Sequence, residues 1–176
     1  MRLNEIEEKI KWQSIVKRDC KPYLKERGQV LYRGMDTASN KPIKKQVRLD
    51  NRSPAGSTVE VHAILNTYFD TMFGHPFRNG LFVSGKENDV RLYGEIHIIF
   101  PIGDFDFLWS PVVSDLYGDA DWNEDETDAK VISNEVHQNK YQTTDLKAAT
   151  KSGNEIMIWC KEYYAIPYSI YRANPL

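Results

Sequence analysis

Three polar side chains lie where short apolar runs begin or end, and such positions commonly border clefts. Glu155 follows a Gly-Asn turn and opens the apolar run 156–160. Arg33 and Ser84 each come at the end of a β-rich run, and each is followed by a glycine. A guanidinium offers a planar fork to phosphate oxygens, and a carboxylate stabilises positive charge that develops during a reaction. We therefore predict that the three side chains share one cleft, with Glu155 as its chemical centre.

Other kinds of active site have weaker signals in this chain. No serine has the sequence context of a nucleophile elbow, no glycine-rich phosphate loop is present, and the four histidines lack metal-ligand spacing. A glycosidase would need a second carboxylate, and nothing singles one out from Asp104, Asp106 and Glu162. No metal is therefore expected, and the residue types alone leave the reaction open.

Length and composition predict a single folded domain over residues 1–176. The 176 residues are 41% hydrophobic and carry a net charge of −2, which disfavours both a disordered chain and a general affinity for polyanions. No apolar stretch is long enough to span a bilayer, and the charged N-terminus lacks a signal core. Two cysteines are too few for a disulfide framework. We therefore expect a cytoplasmic protein with reduced thiols and no membrane partner.

The chain divides into an N-terminal helical cover and a mixed β core with helices. Apolar residues recur at helical spacing within 1–27, and the core is expected over 28–171. The polar stretch 36–56 contains five Lys and Arg residues and fits a solvated loop or an edge strand. Reception of phosphate groups is the alternative for this stretch. Because no aromatic residue interleaves with its charges, stacking on nucleobases is disfavoured.

The clearest helix of the core has recognisable ends. Ser57 and Glu60 form a capping-box pattern ahead of an apolar stripe with three- and four-residue spacing. The helix should end at Gly74, because glycine readily adopts the left-handed conformation that closes helices. His62 falls off the apolar stripe, and we therefore expect its side chain to be exposed.

A compact helix is predicted directly before Glu155, capped by Thr143 or Thr144 and closed at Gly153. The remaining apolar runs are predicted to be short strands: 80–84, 95–100, 105–109 and 163–171, the last broken by a proline. Short strands with helices and irregular connections between them favour an α+β fold over a parallel α/β fold.

The order of these motifs resembles the mono-ADP-ribosyltransferases of the arginine–serine–glutamate type. In that family one strand carries the Arg, a second carries a Phe-x-Ser-Thr-Ser pattern, and a later strand begins with the catalytic Glu. Residues 31–34 resemble the first motif, 82–86 the second and 152–158 the third, while 96–103 resemble the strand and Pro-x-Gly turn after the second. The resemblance covers most of 24–166 and extends to uncharacterised tailed-phage proteins of this kind.

The resemblance implies an ADP-ribosyltransferase-like split β-sheet core and NAD as the substrate. Glu155 would stabilise the oxocarbenium-like state that forms as the nicotinamide–ribose bond breaks. Arg33 would bind phosphate or ribose oxygens, and Ser84 would orient Glu155 or the nicotinamide by a hydrogen bond. Tyr32, Tyr93 or Trp109 would stack on the nicotinamide ring. The residues expected to bind NAD belong to the motifs or lie near them: Tyr32, Arg33, Gly34, Phe82, Ser84 and Tyr93.

Two departures from the family pattern concern the acceptor and the activity. Gly85 and Lys86 replace the Thr-Ser of the second motif, and Gly153 stands where arginine-modifying members have Glu or Gln. The acceptor therefore stays open between another protein side chain, a nucleobase and water, in the host cytoplasm if the chain is phage-encoded. A non-catalytic interaction or virion-associated module on the same fold is the alternative. A nucleic-acid-binding protein that uses residues 41–52 is a third interpretation.

Overall fold

The computed structural model describes residues 3–37, 39–50, 52–54, 57–116 and 127–176, with side chains from residue 11 onward. The helices of this part of the chain are α1 (Leu3–Asp19), α2 (Lys21–Glu26), α3 (Val59–Phe73), α4 (Ala129–Gln138), α5 (Leu146–Ser152) and α6 (Tyr168–Ala173). The strands are β1 (Leu31–Met35), β2 (Ile43–Gln46), β3 (Leu81–Val83), β4 (Glu95–Pro101), β5 (Asp106–Trp109), β6 (Ile156–Trp159) and β7 (Glu162–Pro167). Two 3-10 helices, Phe77–Asn79 and Glu87–Tyr93, flank β3.

The strands form two antiparallel sheets, and the prediction of an α+β protein is confirmed. The large sheet has the order β1-β4-β7-β2, and the small sheet has the order β3-β6-β5. β2 lies at the edge of the large sheet, as one interpretation of the basic stretch predicted. The strand predicted over 163–171 ends at Pro167 instead, and the chain continues as α6. Proline has no backbone N–H to donate to a ladder, so β7 stops there.

The two sheets meet at one point, where β1 runs beside the end of β3. The Tyr32 N–H donates to the Ser84 carbonyl at 2.7 Å, and the Ser84 N–H donates to the Tyr32 carbonyl at 3.0 Å. Within the described residues no other backbone pair joins β1 to β3. The sheets are therefore held together at Ser84 and leave a space between them beside β3.

Apolar burial on both sides fixes this arrangement. α1 and α2 cover one face of the large sheet, where the rings of Trp12 and Tyr23 lie 6.2 and 5.9 Å from the ring of Phe100. α3 and α4 pack on the small sheet, and Phe69 and Met157 are fully buried in that second cluster. Each fully buried large side chain of this kind contributes roughly 1.5–3 kcal/mol. Both walls of the space between the sheets are thus backed by core.

Two helix caps differ from those that the sequence predicted. Thr58, not Ser57, accepts the Val61 N–H at 3.2 Å and begins α3. Asp145, not Thr143 or Thr144, accepts the Ala148 N–H at 2.9 Å and begins α5. Neighbouring polar residues compete for each cap, and the backbone path into the helix decides between them. The predicted ends at Gly74 and Gly153 are confirmed, with φ values of +86° and +83°.

The α3 cap gives a matched pair of variants. Thr58→Ala should lower the free energy of unfolding by about 1 kcal/mol, because a backbone N–H of the first turn loses its acceptor. Ser57→Ala should change it by less than about 0.5 kcal/mol, because the Ser57 hydroxyl has no hydrogen-bond partner within the described residues. Urea unfolding of both variants measures the difference. A larger loss in Ser57→Ala would contradict the observed cap.

Candidate functional site

A cleft of about 890 Å³ lies between the two sheets and is lined by residues of both. It contains six of the seven residues that the sequence singled out: Arg33, Gly34, Phe82, Ser84, Tyr93 and Glu155. Arg33 comes from β1, Ser84 from the end of β3 and Glu155 from the residue before β6. The structure therefore brings the three predicted chemical groups into one space, although they are far apart in sequence.

Tyr32 is the predicted residue that does not line this cleft. Its side chain lies on the opposite face of β1 from Arg33, because side chains alternate along a strand. Its ring packs edge-to-face on Tyr168, with 5.7 Å between centroids. Trp109 also lies elsewhere, with its indole N–H donating to the Thr144 carbonyl at 2.8 Å. Of the three rings considered for stacking on nicotinamide, only Tyr93 borders the cleft.

Arg33 extends from β1 across the gap between the sheets. Its Nη1 donates to the Phe82 carbonyl at 2.6 Å. Partial burial of the guanidinium lowers its pKa, which nevertheless leaves it charged at neutral pH. Gly34 allows β1 to approach the 3-10 helix Glu87–Tyr93, because a Cβ there would lie 2.4 Å from the Val90 carbonyl oxygen. Arg33 is thus held at a fixed place in the cleft wall.

Ser84 is almost fully buried, at 4% exposure, and its hydroxyl does not contact Glu155, the first of the two partners that were predicted for it. The hydroxyl donates to the Asp89 carboxylate at 2.7 Å, and the Gly153 carbonyl oxygen lies 3.2 Å away as a second acceptor. The Lys86 N–H donates to the same hydroxyl at 3.1 Å. Ser84 therefore fixes the turn before Glu155 and orients the carboxylate through the backbone.

Glu155 is positioned by its backbone and by one cation. Its N–H donates to the Ser114 carbonyl at 2.9 Å, after Gly153 has turned the chain with its positive φ. The carboxylate keeps 23% exposure and lies 2.9 Å from the Arg78 guanidinium. Burial raises the pKa of this carboxyl group above its ordinary value, and the charge of Arg78 opposes that rise. Glu155 thus faces the cleft as a partly desolvated carboxylate.

Arg78 is a functional candidate that the sequence did not reveal. It lies on the 3-10 helix Phe77–Asn79 with only 6% of its side chain exposed. Its backbone N–H donates to the Asn66 side-chain oxygen at 3.0 Å, which ties it to α3. An arginine in a turn has no sequence signal of burial, because burial here depends on a partner 77 positions away.

Arg52 is another arginine of the cleft that was not singled out. It belongs to the basic stretch for which phosphate binding was left as the alternative, and it donates to the Gly80 carbonyl. The guanidiniums of Arg52 and Arg78 lie 4.4 and 4.5 Å from the centroid of the Phe82 ring. Burial, with repulsion from Arg33 and Arg78, lowers the pKa of Arg52 to about 10. Two guanidiniums therefore lie over the Phe82 ring, and a third, that of Arg33, binds the Phe82 carbonyl.

His62 is buried, and the expectation that it is exposed was wrong. It has 8% exposure and lines the cleft. Its Nε2 lies 3.0 Å from the Asn79 side-chain oxygen and 3.1 Å from the Asn66 side-chain nitrogen, and the Asn79 amide donates to the Leu49 carbonyl at 2.7 Å. Burial lowers the pKa of His62. Helical periodicity indicates only apolar burial. His62 lies off the apolar stripe and is still buried, because it has polar partners.

Comparisons with known proteins gave no relative for this arrangement. Neither protein-family models, nor curated proteins, nor solved structures match the chain. In the part of the chain that the structure describes, no group of three or more His, Cys, Asp or Glu residues is placed to hold a metal. No helix among those residues is both long and apolar enough to cross a bilayer.

The Arg78–Glu155 pair can be tested by titration. In Arg78→Met, the pKa of Glu155 should rise further, because the favourable charge is lost while burial remains. When folding raises the pKa of a carboxyl group, the folded protein loses stability as the pH rises through the pKa of the folded state. The free energy of unfolding of the variant should therefore fall at neutral pH by on the order of 2 kcal/mol. This loss is smaller than the ~3–5 kcal/mol that breaking a fully buried ion pair costs.

Carbon-13 NMR of the carboxyl group and urea unfolding at several pH values measure both effects. Lys44→Met is the control, since it breaks an exposed pair with Glu162 at 2.8 Å and should leave the Glu155 titration unchanged. Adding Glu155→Gln to Arg78→Met should restore stability at neutral pH, because no buried charge then lacks a partner. An unshifted Glu155 pKa in Arg78→Met would contradict this description of the site.

Proposed function

We propose that this protein cleaves NAD and transfers ADP-ribose to an acceptor, with Glu155 as the catalytic carboxylate. The observation that carries the proposal is the convergence of Arg33, Ser84 and Glu155 in one cleft between two antiparallel sheets. These residues come from the three segments that resemble the arginine–serine–glutamate motifs. The split of the β core into two sheets also fits the ADP-ribosyltransferase-like fold that the resemblance implies.

The proposed reaction breaks the bond between the nicotinamide nitrogen and ribose C1′. The bonding electron pair leaves with nicotinamide, which becomes neutral, and positive charge develops on the ribose. A nucleophile of the acceptor then forms the new bond to C1′ and loses a proton. Glu155 lies at the edge of the cleft with a partly desolvated carboxylate, and such a group stabilises developing positive charge more strongly than it would in water.

In this proposal the other groups of the cleft bind NAD and position Glu155. Arg33 has donors beyond the one that Phe82 accepts, and these fit phosphate oxygens. Ser84 fixes the Gly153 turn and hence the position of Glu155. Tyr93 borders the cleft with 65% of its surface exposed and is the ring available for stacking on nicotinamide.

The turn before Glu155 bears on the acceptor. A side chain at position 153 would begin with a Cβ only 2.5 Å from Lys86 Cδ, so Lys86 occupies the place of the usual Glu or Gln. The exposed Lys86 side chain lies along this turn, where its Nζ donates to the Ser152 carbonyl at 2.8 Å. A cation there disfavours a guanidinium acceptor by like-charge repulsion. We therefore propose an acceptor other than arginine, on a protein or a nucleic acid, or water.

Glu155→Gln tests the proposal. The variant should retain NAD binding and lose nicotinamide release by about 10²-fold or more, because the amide cannot stabilise the transition-state charge equally. Glu60→Gln, an exposed carboxylate on the first turn of α3, is the matched control and should release nicotinamide at the normal rate. Release is measured by chromatography with and without cell lysate, and labelled NAD identifies the acceptor.

The Arg78–Glu155 ion pair favours a second candidate function. In a non-catalytic interaction module on the same fold, Glu155 would serve only as the counter-ion of a buried arginine. That module predicts neither nicotinamide release nor NAD binding by calorimetry, with or without lysate. Release that depends on Glu155 would exclude it.

A further inference from the structure

The proton of the acceptor is the part of the proposed reaction that Glu155 does not account for. The nucleophile that bonds to C1′ must lose a proton, whereas Glu155 is needed in its charged form to stabilise the ribose cation. The Glu155 carboxylate is also paired with Arg78 at 2.9 Å. If it took up the proton, it would lose the charge on which its own role depends. A second proton acceptor is therefore required, and this requirement rests on the proposed function.

Three further carboxylates line the cleft among the described residues: Asp36, Asp89 and Asp115. Asp89 accepts the hydrogen bond of the Ser84 hydroxyl at 2.7 Å and thereby serves the wall of the cleft. Asp36 follows β1 in the wall formed by the large sheet, whereas Glu155 precedes β6 in the small sheet. Asp115 is the carboxylate that remains on the side of Glu155.

His62 is the imidazole that lines the cleft, and it is poorly placed to accept the proton. The residue has 8% exposure, and its Nε2 lies 3.0 Å from the Asn79 side-chain oxygen and 3.1 Å from the Asn66 side-chain nitrogen. An acceptor could reach this nitrogen only by displacing the two amides.

Asp115 is held next to Glu155 by the backbone. The Glu155 N–H donates at 2.9 Å to the carbonyl of Ser114, the residue before Asp115. Asp115 itself is exposed, so an acceptor that approaches from solvent can reach its carboxylate. Burial raises the pKa of Glu155, Arg78 opposes that rise, and the charge of Asp115 adds to it. Two interacting carboxylates, one desolvated and one exposed, are suited to two different roles in a reaction.

We propose that Asp115 is the general base that takes the proton of the acceptor, and that the acceptor is a hydroxyl group. The hydroxyl oxygen forms the bond to C1′ while its proton passes to an Asp115 carboxylate oxygen. The electron pair of the broken bond between C1′ and nitrogen leaves with nicotinamide. The protonated Asp115 then returns its proton to water, which restores the carboxylate for the next reaction.

The charges beside Glu155 favour a neutral nucleophile that needs a base. Lys86, which lies along the turn at Gly153, disfavours a cationic acceptor by repulsion. A carboxylate acceptor has no proton to lose, and the charge of Asp115 would repel it. A hydroxyl is a weak nucleophile at neutral pH until an adjacent base activates it. A protein hydroxyl, a ribose hydroxyl of a nucleic acid and water all share this chemistry.

Competition between methanol and pyridine tests the base. Both nucleophiles are neutral, but methanol must lose a proton when it bonds to C1′, whereas pyridine has none to lose. The full chain is incubated with NAD and both nucleophiles, and chromatography separates the two products. In Asp115→Asn the ratio of pyridine product to methanol product should rise by about 10²-fold, because only the methanol product depends on the base. A folding defect would lower both products together and leave their ratio unchanged.

Two further variants control this measurement. Asp115→Glu keeps a carboxylate and should return the ratio toward that of the normal protein. Asp70→Asn, at an exposed aspartate of α3 outside the cleft, is the matched control and should give the normal ratio. An unchanged ratio in Asp115→Asn would overturn Asp115 as the base, and the absence of a methanol product from the normal protein would overturn the hydroxyl acceptor.

Labelled NAD in cell lysate distinguishes the sources of the hydroxyl. Label that protease releases indicates a protein hydroxyl, label that nuclease releases indicates a nucleic-acid hydroxyl, and free ADP-ribose alone indicates water. The bond to a macromolecular hydroxyl is an acetal, which resists neutral hydroxylamine, whereas the ester of a carboxylate acceptor is cleaved. Removal of the label by hydroxylamine would therefore also overturn the hydroxyl acceptor.

The two proposals fail in different ways. Nicotinamide release that depends on Glu155, with a product ratio indifferent to Asp115, would retain the transferase and reject the base. No release by the normal protein, with or without lysate, would reject both.

Discussion

The outer edge of β3 is the constraint on which the site depends. β3 is the edge strand of the small sheet, so its carbonyls on that side have no neighbouring strand of that sheet and need other donors. The first of them, at Ser84, is satisfied by the Tyr32 N–H, and the next two are satisfied by arginine side chains. A continued backbone ladder would have joined the two sheets completely. Side-chain donors satisfy the same carbonyls and leave a cleft open between the sheets.

A second constraint acts on Glu155, where burial and charge oppose each other. Burial makes the carboxylate costly and raises its pKa, while Arg78 favours the charged form. Arg78 can do so from a buried position because Asn66 holds its backbone and the Phe82 ring lies beside its guanidinium. The same ring contacts Arg52. The Phe82 ring therefore contacts both Arg52 and Arg78, the arginine that is paired with Glu155.

Local patterns in the sequence predicted the elements, and tertiary contacts decided the rest. The apolar stripe of α3 and the glycine ends at Gly74 and Gly153 depend on neighbours within a few positions, which a sequence displays directly. Arg78 and His62 are buried because of partners on other elements, so their surroundings could not be inferred from spacing. Tyr32 differs from these two, because the alternation of side chains along a strand is visible in the sequence and separates Tyr32 from Arg33 although both belong to one short motif.

The pairing of the charges in the cleft distinguishes a ligand-binding site from a set of ion pairs that only stabilise the fold. Ion pairs that only stabilise the fold would give each arginine a carboxylate partner, as Arg78 has in Glu155. Among the described residues, the hydrogen bonds of Arg33 and Arg52 go to neutral backbone carbonyls. Burial, and after it repulsion from Arg33 and Arg78, lowers the pKa of Arg52, which is a cost borne by the folded chain. An anion that binds both guanidiniums relieves that repulsion and stabilises the fold by an amount that grows with the logarithm of its affinity. Crowded cations with unused donors are the electrostatic observation that supports our proposal of an anionic ligand.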